Sequence, residues 1–238
     1  MRQESTAFLQ IDVVSDVVCP WCYIGKRQIE RALAQWQQEN PAETPPGLRW
    51  RPFQLNPDMP PAGLPRSEYL QRKFGSPDGG GRFGRVVAAA REVGLDLKLD
   101  SIKTQPNTLK AHGLIELAEE CGRQSELAEA FFNAYFLQGR DLSDDATLRE
   151  IASATGMTDG MIDAVLNGDQ VVRLVAAADA EMREYGVSGV PLFIIGREEG
   201  NRLAVSGAQG PDRLLQAMRQ VQAGQGAPAN AGSRPAGR

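Results

Sequence analysis

The chain has 238 residues, of which 42% are hydrophobic and 24% are charged, and its formal net charge at pH 7 is −4. Such a chain is long enough for one large domain or two small ones with a real hydrophobic core. A negative net charge without a basic stripe argues against a nucleic-acid partner. No run of about 18 apolar residues is present, so the sequence predicts no membrane-spanning helix.

The first part of the chain has the pattern of a strand, a helix and a second strand. Residues 8–14 form an apolar, β-branched run that predicts a mostly buried strand. We expect a helix to begin near Pro20, since proline is tolerated in the first helical turn, and to continue at helical spacing as far as Trp36. Residues 48–53 predict a second strand. Because a helical crossover joins the two strands, we expect them to be parallel.

The middle of the chain is helical in pattern, and the last part returns to strands. After a proline-rich loop, helical spacing recurs near residues 67–74, 82–93, 108–121, 126–138, 145–155 and 159–166. A further helix ends at Gly186 and carries an apolar stripe made of Val171, Leu174, Val175, Ala178, Met182 and Tyr185. Two strands and a final helix follow, at residues 190–195, at residues 203–206 and from Pro211.

This order of elements predicts an α/β fold in which a helical region interrupts one sheet. Residues 1–56 and 186–223 would form one discontinuous domain, because strands from both ends of the chain would share the sheet. Residues 57–185 would form an inserted helical domain. Residues 224–238 lack large apolar side chains, and we predict that they form a disordered tail.

Two of the three cysteines lie in the motif Cys19-Pro20-Trp21-Cys22, at the predicted start of the first helix. Unpaired N–H groups and the positive end of the helix dipole favour an anion at this place, which lowers the pKa of a thiol. Cys22 lies one turn further on and can form or resolve a disulfide with Cys19. The motif therefore predicts a redox pair with Cys19 attacking and Cys22 resolving, and with Pro20 and Trp21 setting the potential.

Two other interpretations of the motif are open but weaker. The cysteines could be two reduced core residues, although we expect the turn flanked by Asp16 and Pro20 to be exposed. They could bind zinc, but a single CxxC supplies two of the four ligands that a tetrahedral site needs. Cys121 and His112, the only histidine, stand at no recognised spacing for the remaining two. We predict no metal.

The N-terminal segment bears on the redox environment. Polar residues interrupt its apolar stretches, unlike a signal peptide, and its apolar run leads directly into the cysteine pair. We therefore expect a cytoplasmic location, where structural disulfides are rare and a CxxC motif is more often catalytic or metal-binding.

Several further residues are weaker functional candidates. Asn107 follows a proline and is a natural N-cap. His112 is expected to be a packed or capping side chain, with a lesser prospect of orienting groups near the cysteines. Gln209 ends a turn before the last helix whose N–H groups could bind a carboxylate, or which simply joins strand to helix. Cys121 is expected to be a small buried residue. A predicted aromatic core comprises Phe131, Phe132, Tyr135 and Phe136.

Six motifs carry a resemblance to a known family. They are DVVCPWCYIGK, WRPFQLNP, PNTLKAH, FFNAYFLQGRD, GVSGVPLFII and AVSGAQ. In this order they resemble the thioredoxin superfamily and, within it, the DsbA-like oxidoreductases of the FrnE type. The resemblance implies a thioredoxin-like fold with an inserted helical domain, Cys19 as nucleophile and Cys22 as its partner. It also implies a cis Val190–Pro191 bond facing the pair, with the backbone of Val190 free to bind an extended substrate peptide.

The function predicted first is thiol–disulfide exchange on protein or low-molecular-weight disulfides, with glutathione as a candidate co-substrate and no other cofactor. The alternative is a glutathione-dependent isomerase or transferase. The chain also resembles 2-hydroxychromene-2-carboxylate isomerases and kappa-class glutathione transferases, which typically place a serine where Cys19 stands. A non-catalytic binding protein is a third class. The sequence is compatible with a monomer or a homodimer.

Overall fold

A five-stranded mixed sheet forms the centre of the fold. The computed structural model describes residues 8–197, 200–225 and 227–228. The strands of this sheet and of a small second one are β1 (Gln10–Ser15), β2 (Gly47–Pro52), β3 (Leu64–Pro65), β4 (Thr104–Gln105), β5 (Leu192–Gly196), β6 (Asn201–Ser206) and β7 (Ala227–Pro228). The large sheet has the order β2-β1-β5-β6-β7, and β3 pairs with β4. β1 and β2 are parallel, as predicted, and every other pair is antiparallel.

The described residues form nine α-helices and one short 3-10 helix at Leu99–Ser101. The α-helices are α1 (Pro20–Glu39), α2 (Arg66–Phe74), α3 (Gly84–Glu92), α4 (Leu109–Leu117), α5 (Gln124–Phe136), α6 (Asp145–Ala154), α7 (Asp159–Leu166), α8 (Gln170–Glu184) and α9 (Pro211–Gln222). Each predicted helix is present. None of these helices is both long and apolar enough to cross a membrane. Helices α2 to α8 lie between β2 and β5, so a helical region is inserted between the two halves of the sheet.

The position of β1 determines where the ends of several segments meet. β1 is paired on both sides, and its apolar side chains Ile11, Val13 and Val14 are buried, as expected of a central strand. β5 runs antiparallel to β1, with Val14 opposite Leu192. The C-terminal end of β1, where α1 follows, therefore lies beside the N-terminal end of β5.

One aromatic cluster joins the inserted helices to the sheet. The predicted aromatic core on α5 is confirmed, because all four of its side chains are buried. Tyr23 of α1 stacks on Phe132, with ring centroids 5.0 Å apart and an interplanar angle of 9°. The indole Nε1 of Trp50 in β2 donates to Ser125 Oγ at 3.0 Å. The hydrophobic core is therefore continuous between the segments that we predicted as two domains.

Two expectations about burial were wrong. Helix α4 ends at Leu117, earlier than predicted, so Cys121 falls in the following turn and is exposed. Helix α8 is present, but Leu174 and Tyr185 of its apolar stripe are 60% and 68% exposed. Asp179 is buried on α8 instead, because its carboxylate accepts the backbone N–H of Gln54 at 2.8 Å.

The predicted disordered tail lies mostly outside the described residues. Of that segment, Gly224 and Gln225 follow α9, and residues 227–228 pair with β6 as β7. The domain boundaries stay a prediction.

Candidate active site

The cysteine motif lies where β1 passes into α1. Cys19 is the N-cap residue of α1, and Pro20 is the first residue of the helix. The carbonyl of Cys19 accepts the N–H of Cys22 at 3.0 Å, while the N–H of Cys19 donates to the carbonyl of Asp16 at 2.9 Å. The first turn of α1 contains no acidic residue. No acidic side chain of the first turn of α1 itself therefore offsets the positive end of the helix dipole at Cys19.

Both thiols are sheltered from solvent. Cys19 is 4% exposed and Cys22 is 1% exposed, whereas Trp21 between them is 40% exposed. Our expectation of an exposed turn between Asp16 and Pro20 was therefore wrong, because Asp16, Val17, Val18 and Cys19 are all buried. The shelter comes partly from the segment before β5, because Cys19 Sγ donates to the carbonyl of Val190 at 3.7 Å.

The segment before β5 is held against α1 and β6. Its Val190–Pro191 peptide bond is cis. A Cβ atom at Gly25 would lie 3.0 Å from Cγ of Pro191 and 3.1 Å from Cζ of Phe193, so a larger residue could not replace this glycine without movement. The carbonyl of Pro191 accepts the N–H of Gly207 at 2.8 Å. Gly25 was not among the predicted site residues, although a glycine inside a helical pattern is a sign of close approach.

The environment of Cys22 differs from that of Cys19. Burial raises the pKa of the Cys22 thiol well above its usual range, and a hydrogen bond and the charge of Cys19 raise this pKa further. The Ser15 side chain and the Asp16 backbone lower the same pKa, but to a smaller extent. Cys22 is therefore a protonated thiol at neutral pH.

A buried carboxylate and histidine lie beside the motif. Asp16 Oδ1 is 3.3 Å from His112 Nε2, and both side chains are buried. Asp16 Oδ2 accepts the N–H of Leu55 at 2.8 Å. The structure thus places His112 next to the residue that caps the turn into α1, three positions before Cys19. Sequence reasoning missed the role of Asp16, whose only signal was a carboxylate at the end of a buried strand.

The remaining predicted residues are Asn107 and Gln209. The N-cap of α4 is Thr108, so the predicted capping position was wrong by one residue. Asn107 Oδ1 nevertheless accepts the N–H of Leu109 at 2.9 Å, and Asn107 Nδ2 donates to the carbonyl of Met59 at 2.6 Å. Gln209 is exposed, and its Nε2 donates to the carbonyl of Ser206 at 3.0 Å within the turn before α9.

The described parts of the chain contain no group of three or more His, Cys, Asp or Glu side chains arranged to hold a metal ion. The arrangement at the edge of the sheet is instead two thiols on one helical turn, faced by a backbone carbonyl. A family model for the DsbA-like thioredoxin domain matches residues 10–219. The chain belongs to the DsbA-like thioredoxin domain family. The predicted family resemblance and fold class are therefore confirmed, and DsbA-like oxidoreductase is the activity class that the family implies.

Proteins similar to this DsbA-like chain differ in their sequence identity to it and in how closely their folds match. The probable DsbA oxidoreductase SCO1869 from Streptomyces coelicolor is 29% identical, with a TM-score of 0.77 and 92% of each chain covered. YwbO from Bacillus subtilis is 25% identical over 220 residues, which cover 90% of this chain and 98% of YwbO. The cytosolic disulfide reductase DsbM from Pseudomonas aeruginosa, solved with GSH, has a TM-score of 0.58 at 16% identity, covering 90% of this chain and 96% of DsbM. The likeness to DsbM shows the fold alone.

Proposed function

We propose that the chain is a thiol–disulfide oxidoreductase in which Cys19 is the nucleophile and Cys22 the resolving thiol. The observation that carries this proposal is the unequal environment of two thiols on one helical turn. Cys19 is the N-cap residue of α1 and lies at the positive end of the helix dipole. Cys22 is buried deeper, and both burial and its neighbour Cys19 keep it protonated.

The reaction has two steps that balance. The Cys19 thiolate attacks one sulfur of a substrate disulfide, a Cys19–substrate bond forms, and the other substrate sulfur leaves as a thiolate that takes up a proton. Cys22 then loses its proton and attacks the Cys19 sulfur, which closes the Cys19–Cys22 disulfide and releases the second substrate thiol. The substrate gains two electrons and the protein loses two. In reverse, the oxidised pair donates its disulfide.

The contact between Cys19 and Val190 supports a role for Val190 in substrate binding. In the reduced protein, the Cys19 thiol donates to the Val190 carbonyl. A Cys19 thiolate or mixed disulfide has no such proton, so the carbonyl is then free to accept an N–H from an extended substrate. Trp21 is the exposed side chain of the motif and offers an aromatic surface beside the reacting sulfur.

Glutathione and protein disulfides are the proposed partners, and the cytoplasm is the proposed location. The solved complex of DsbM with GSH concerns a protein of the same fold, and only the fold is shared at this level of identity. The chemistry of Cys19 supports both kinds of partner, because any accessible disulfide sulfur is an electrophile for a thiolate.

The test is a redox equilibrium in glutathione buffers of graded ratio, read by alkylation and mass spectrometry. We expect one two-electron transition that involves Cys19 and Cys22 and is unchanged in the control Cys121→Ser. In Cys22→Ser, a glutathione adduct should accumulate on Cys19. If no Cys19–Cys22 disulfide forms in any buffer, the proposal is wrong. If the protein isomerises 2-hydroxychromene-2-carboxylate in the presence of glutathione, and the Cys22→Ser variant keeps this activity, the isomerase alternative is favoured.

A further inference from the structure

The last turn of α8 lies a short stretch of chain before Val190, whose carbonyl faces Cys19. The chain leaves the helix through Gly186, which has a φ of 85°. The N–H of Val187 donates to the carbonyl of Met182 at 3.0 Å, and this bond fixes the exit from the helix. Two residues separate Val187 from Val190. A movement of the last turn of α8 is therefore passed on to the Val190 carbonyl.

An ion pair in the last turns of α8 holds the backbone that follows β2. The buried Asp179 carboxylate accepts the N–H of Gln54 at 2.8 Å. Arg183 donates its Nε–H to the same carboxylate at 3.0 Å and another N–H to the carbonyl of Gln54. The Arg183 guanidinium also lies over the ring of Phe53, 4.2 Å from its centroid. Asp179 and Arg183, which we call the α8 clamp, thus bind both backbone polar groups of one residue.

The clamped backbone is bonded on its other side to the turn that carries Cys19. The N–H of Leu55 donates to Asp16 Oδ2 at 2.8 Å. The N–H of Phe53 donates to the carbonyl of Ser15 at 3.0 Å, and the N–H of Cys19 donates to the carbonyl of Asp16 at 2.9 Å. The backbone that leaves β2 therefore lies between the α8 clamp and the turn into α1.

These contacts form a closed ring that includes the reacting sulfur. One side of the ring runs from Cys19 through the backbone after β2 to the α8 clamp, and the other side returns along α8 to Val190. The ring closes where Cys19 Sγ lies 3.7 Å from the Val190 carbonyl. The packing of Pro191 on Gly25 holds Val190 from its C-terminal side. The α8 clamp holds it from its N-terminal side.

We propose that Arg183 is a positioning residue that holds the Val190 carbonyl beside Cys19 and thereby favours extended peptide disulfides as substrates. This role rests on the proposed function, because it concerns the substrate class of the same thiol. An extended peptide can donate an N–H to the Val190 carbonyl, as an added strand does. A small disulfide without a peptide backbone cannot make that bond. The α8 clamp therefore discriminates between the two classes of substrate.

The experiment compares the rates at which the reduced protein attacks two disulfides that share a mercaptoethanol leaving group. One is hydroxyethyl disulfide, and the other is an unstructured peptide whose cysteine carries a hydroxyethyl disulfide. Single turnovers are stopped by acid and read by mass spectrometry. The readout is the ratio of the peptide rate to the small-molecule rate, because a general loss of stability or of thiol reactivity lowers both rates together. Since a misplacement of about 1 Å can cost about 100-fold in rate, we expect this ratio to fall at least about fivefold in Arg183→Ala.

Two further variants test whether the contacts of Arg183 are responsible. Arg173→Ala is the matched control, because Arg173 pairs with Asp169 at the same spacing but on an exposed surface. It should keep the wild-type ratio. Arg183→Lys retains a positive charge beside Asp179, but a lysine lacks the fork of N–H groups that reaches both Asp179 and Gln54. We expect a smaller fall in the ratio for Arg183→Lys, which also serves as the test if Arg183→Ala does not fold.

Three results would overturn the positioning role. They are a wild-type ratio in Arg183→Ala, a wild-type ratio in Arg183→Lys, and an equal fall of the ratio in Arg173→Ala. If the wild type forms no Cys19–Cys22 disulfide in glutathione buffers, the proposed function fails first. If it forms that disulfide and the ratio does not depend on Arg183, only the positioning role fails.

Discussion

Pro191 packs directly against Gly25 in the second turn of α1, at a separation at which a Cβ atom on residue 25 would force its neighbours to shift. This contact fixes the segment that carries Val190 relative to the helix that carries both thiols. The distance from Cys19 Sγ to the Val190 carbonyl therefore depends on a residue that takes no part in the chemistry.

Replacing Gly25 tests this dependence. We expect Gly25→Val to destabilise the protein by about 1–3 kcal/mol, because an overpacked contact forces neighbouring atoms to move. It should also lower the rate at which Cys19 reacts with a disulfide peptide. Urea unfolding measures the first effect. Gly84→Val is the matched control, because a Cβ atom at Gly84 on α3 meets nothing within 4 Å. Equal stability of the two variants would contradict the packing argument.

The raised pKa of Cys22 predicts how stability depends on pH. In the unfolded chain this thiol ionises near pH 8.5, whereas in the folded protein it stays protonated to higher pH. The folded state therefore binds more protons above about pH 8.5, and stability must fall there by up to about 1.4 kcal/mol per pH unit. The stabilising contribution is fully present below that pH. Urea unfolding of the reduced protein between about pH 8 and pH 9 measures the slope, below the range in which tyrosines of the unfolded chain ionise.

The controls for this slope are two serine variants. Cys22→Ser removes the group and should flatten the fall in stability, while Cys121→Ser should leave it unchanged. A slope that persists in Cys22→Ser would mean that another group causes the loss.

The buried pair Asp16–His112 predicts a stability effect. We expect His112→Leu to destabilise the protein by about 1–3 kcal/mol, because the buried Asp16 carboxylate loses one polar partner. The double variant with Asp16→Asn should be less destabilised than the sum of the single variants, since the two residues interact directly. Urea unfolding of all four proteins gives the interaction energy, and strict additivity would contradict the pairing.

Two Asp–Arg pairs with the same spacing, one within α8 and one that begins at its N-cap residue, allow a direct comparison. Asp179 is buried, accepts the N–H of Gln54 and pairs with Arg183, whereas Asp169 and Arg173 form an exposed pair. We expect Asp179→Ala to cost about 1–3 kcal/mol, because it leaves a buried backbone N–H unsatisfied. Asp169→Ala should change stability little, since exposed pairs contribute little. Thermal unfolding measures the loss of stability in both variants. A similar loss in the two would contradict the difference between the buried and the exposed pair.

The local pattern was sufficient to predict the helices and to place the cysteine motif at the start of α1. The start of α1 at Pro20 and the parallel pairing of β1 with β2 follow from turn chemistry and connection length. Contacts between segments that are far apart in the sequence could not be predicted from the local pattern. The hydrogen-bond partners of the Asp16 carboxylate are Leu55 and His112, and the sequence around Asp16 predicts neither of them. Burial of Cys19 likewise depends on Val190, which is 171 positions away.

The errors have the same origin. The apolar stripe on α8 predicted the helix, but the neighbours of α8 decided its buried face, and the backbone of Gln54 required a carboxylate there. Cys121 was assigned to a helix that ends four residues earlier, and helix ends are the least reliable part of a periodic pattern.

The stacking of Tyr23 on Phe132 has a consequence for how the protein unfolds. Large aromatic side chains of α1, which carries the thiols, and of α5 pack against each other in one hydrophobic core. Neither segment therefore has a complete core of its own. Excision of residues 57–185 would leave Tyr23 and Trp50 facing water. Residues 57–185 and the segments that carry β1, α1 and β5 should therefore unfold together in one cooperative transition, in which the two thiols lose their fixed positions.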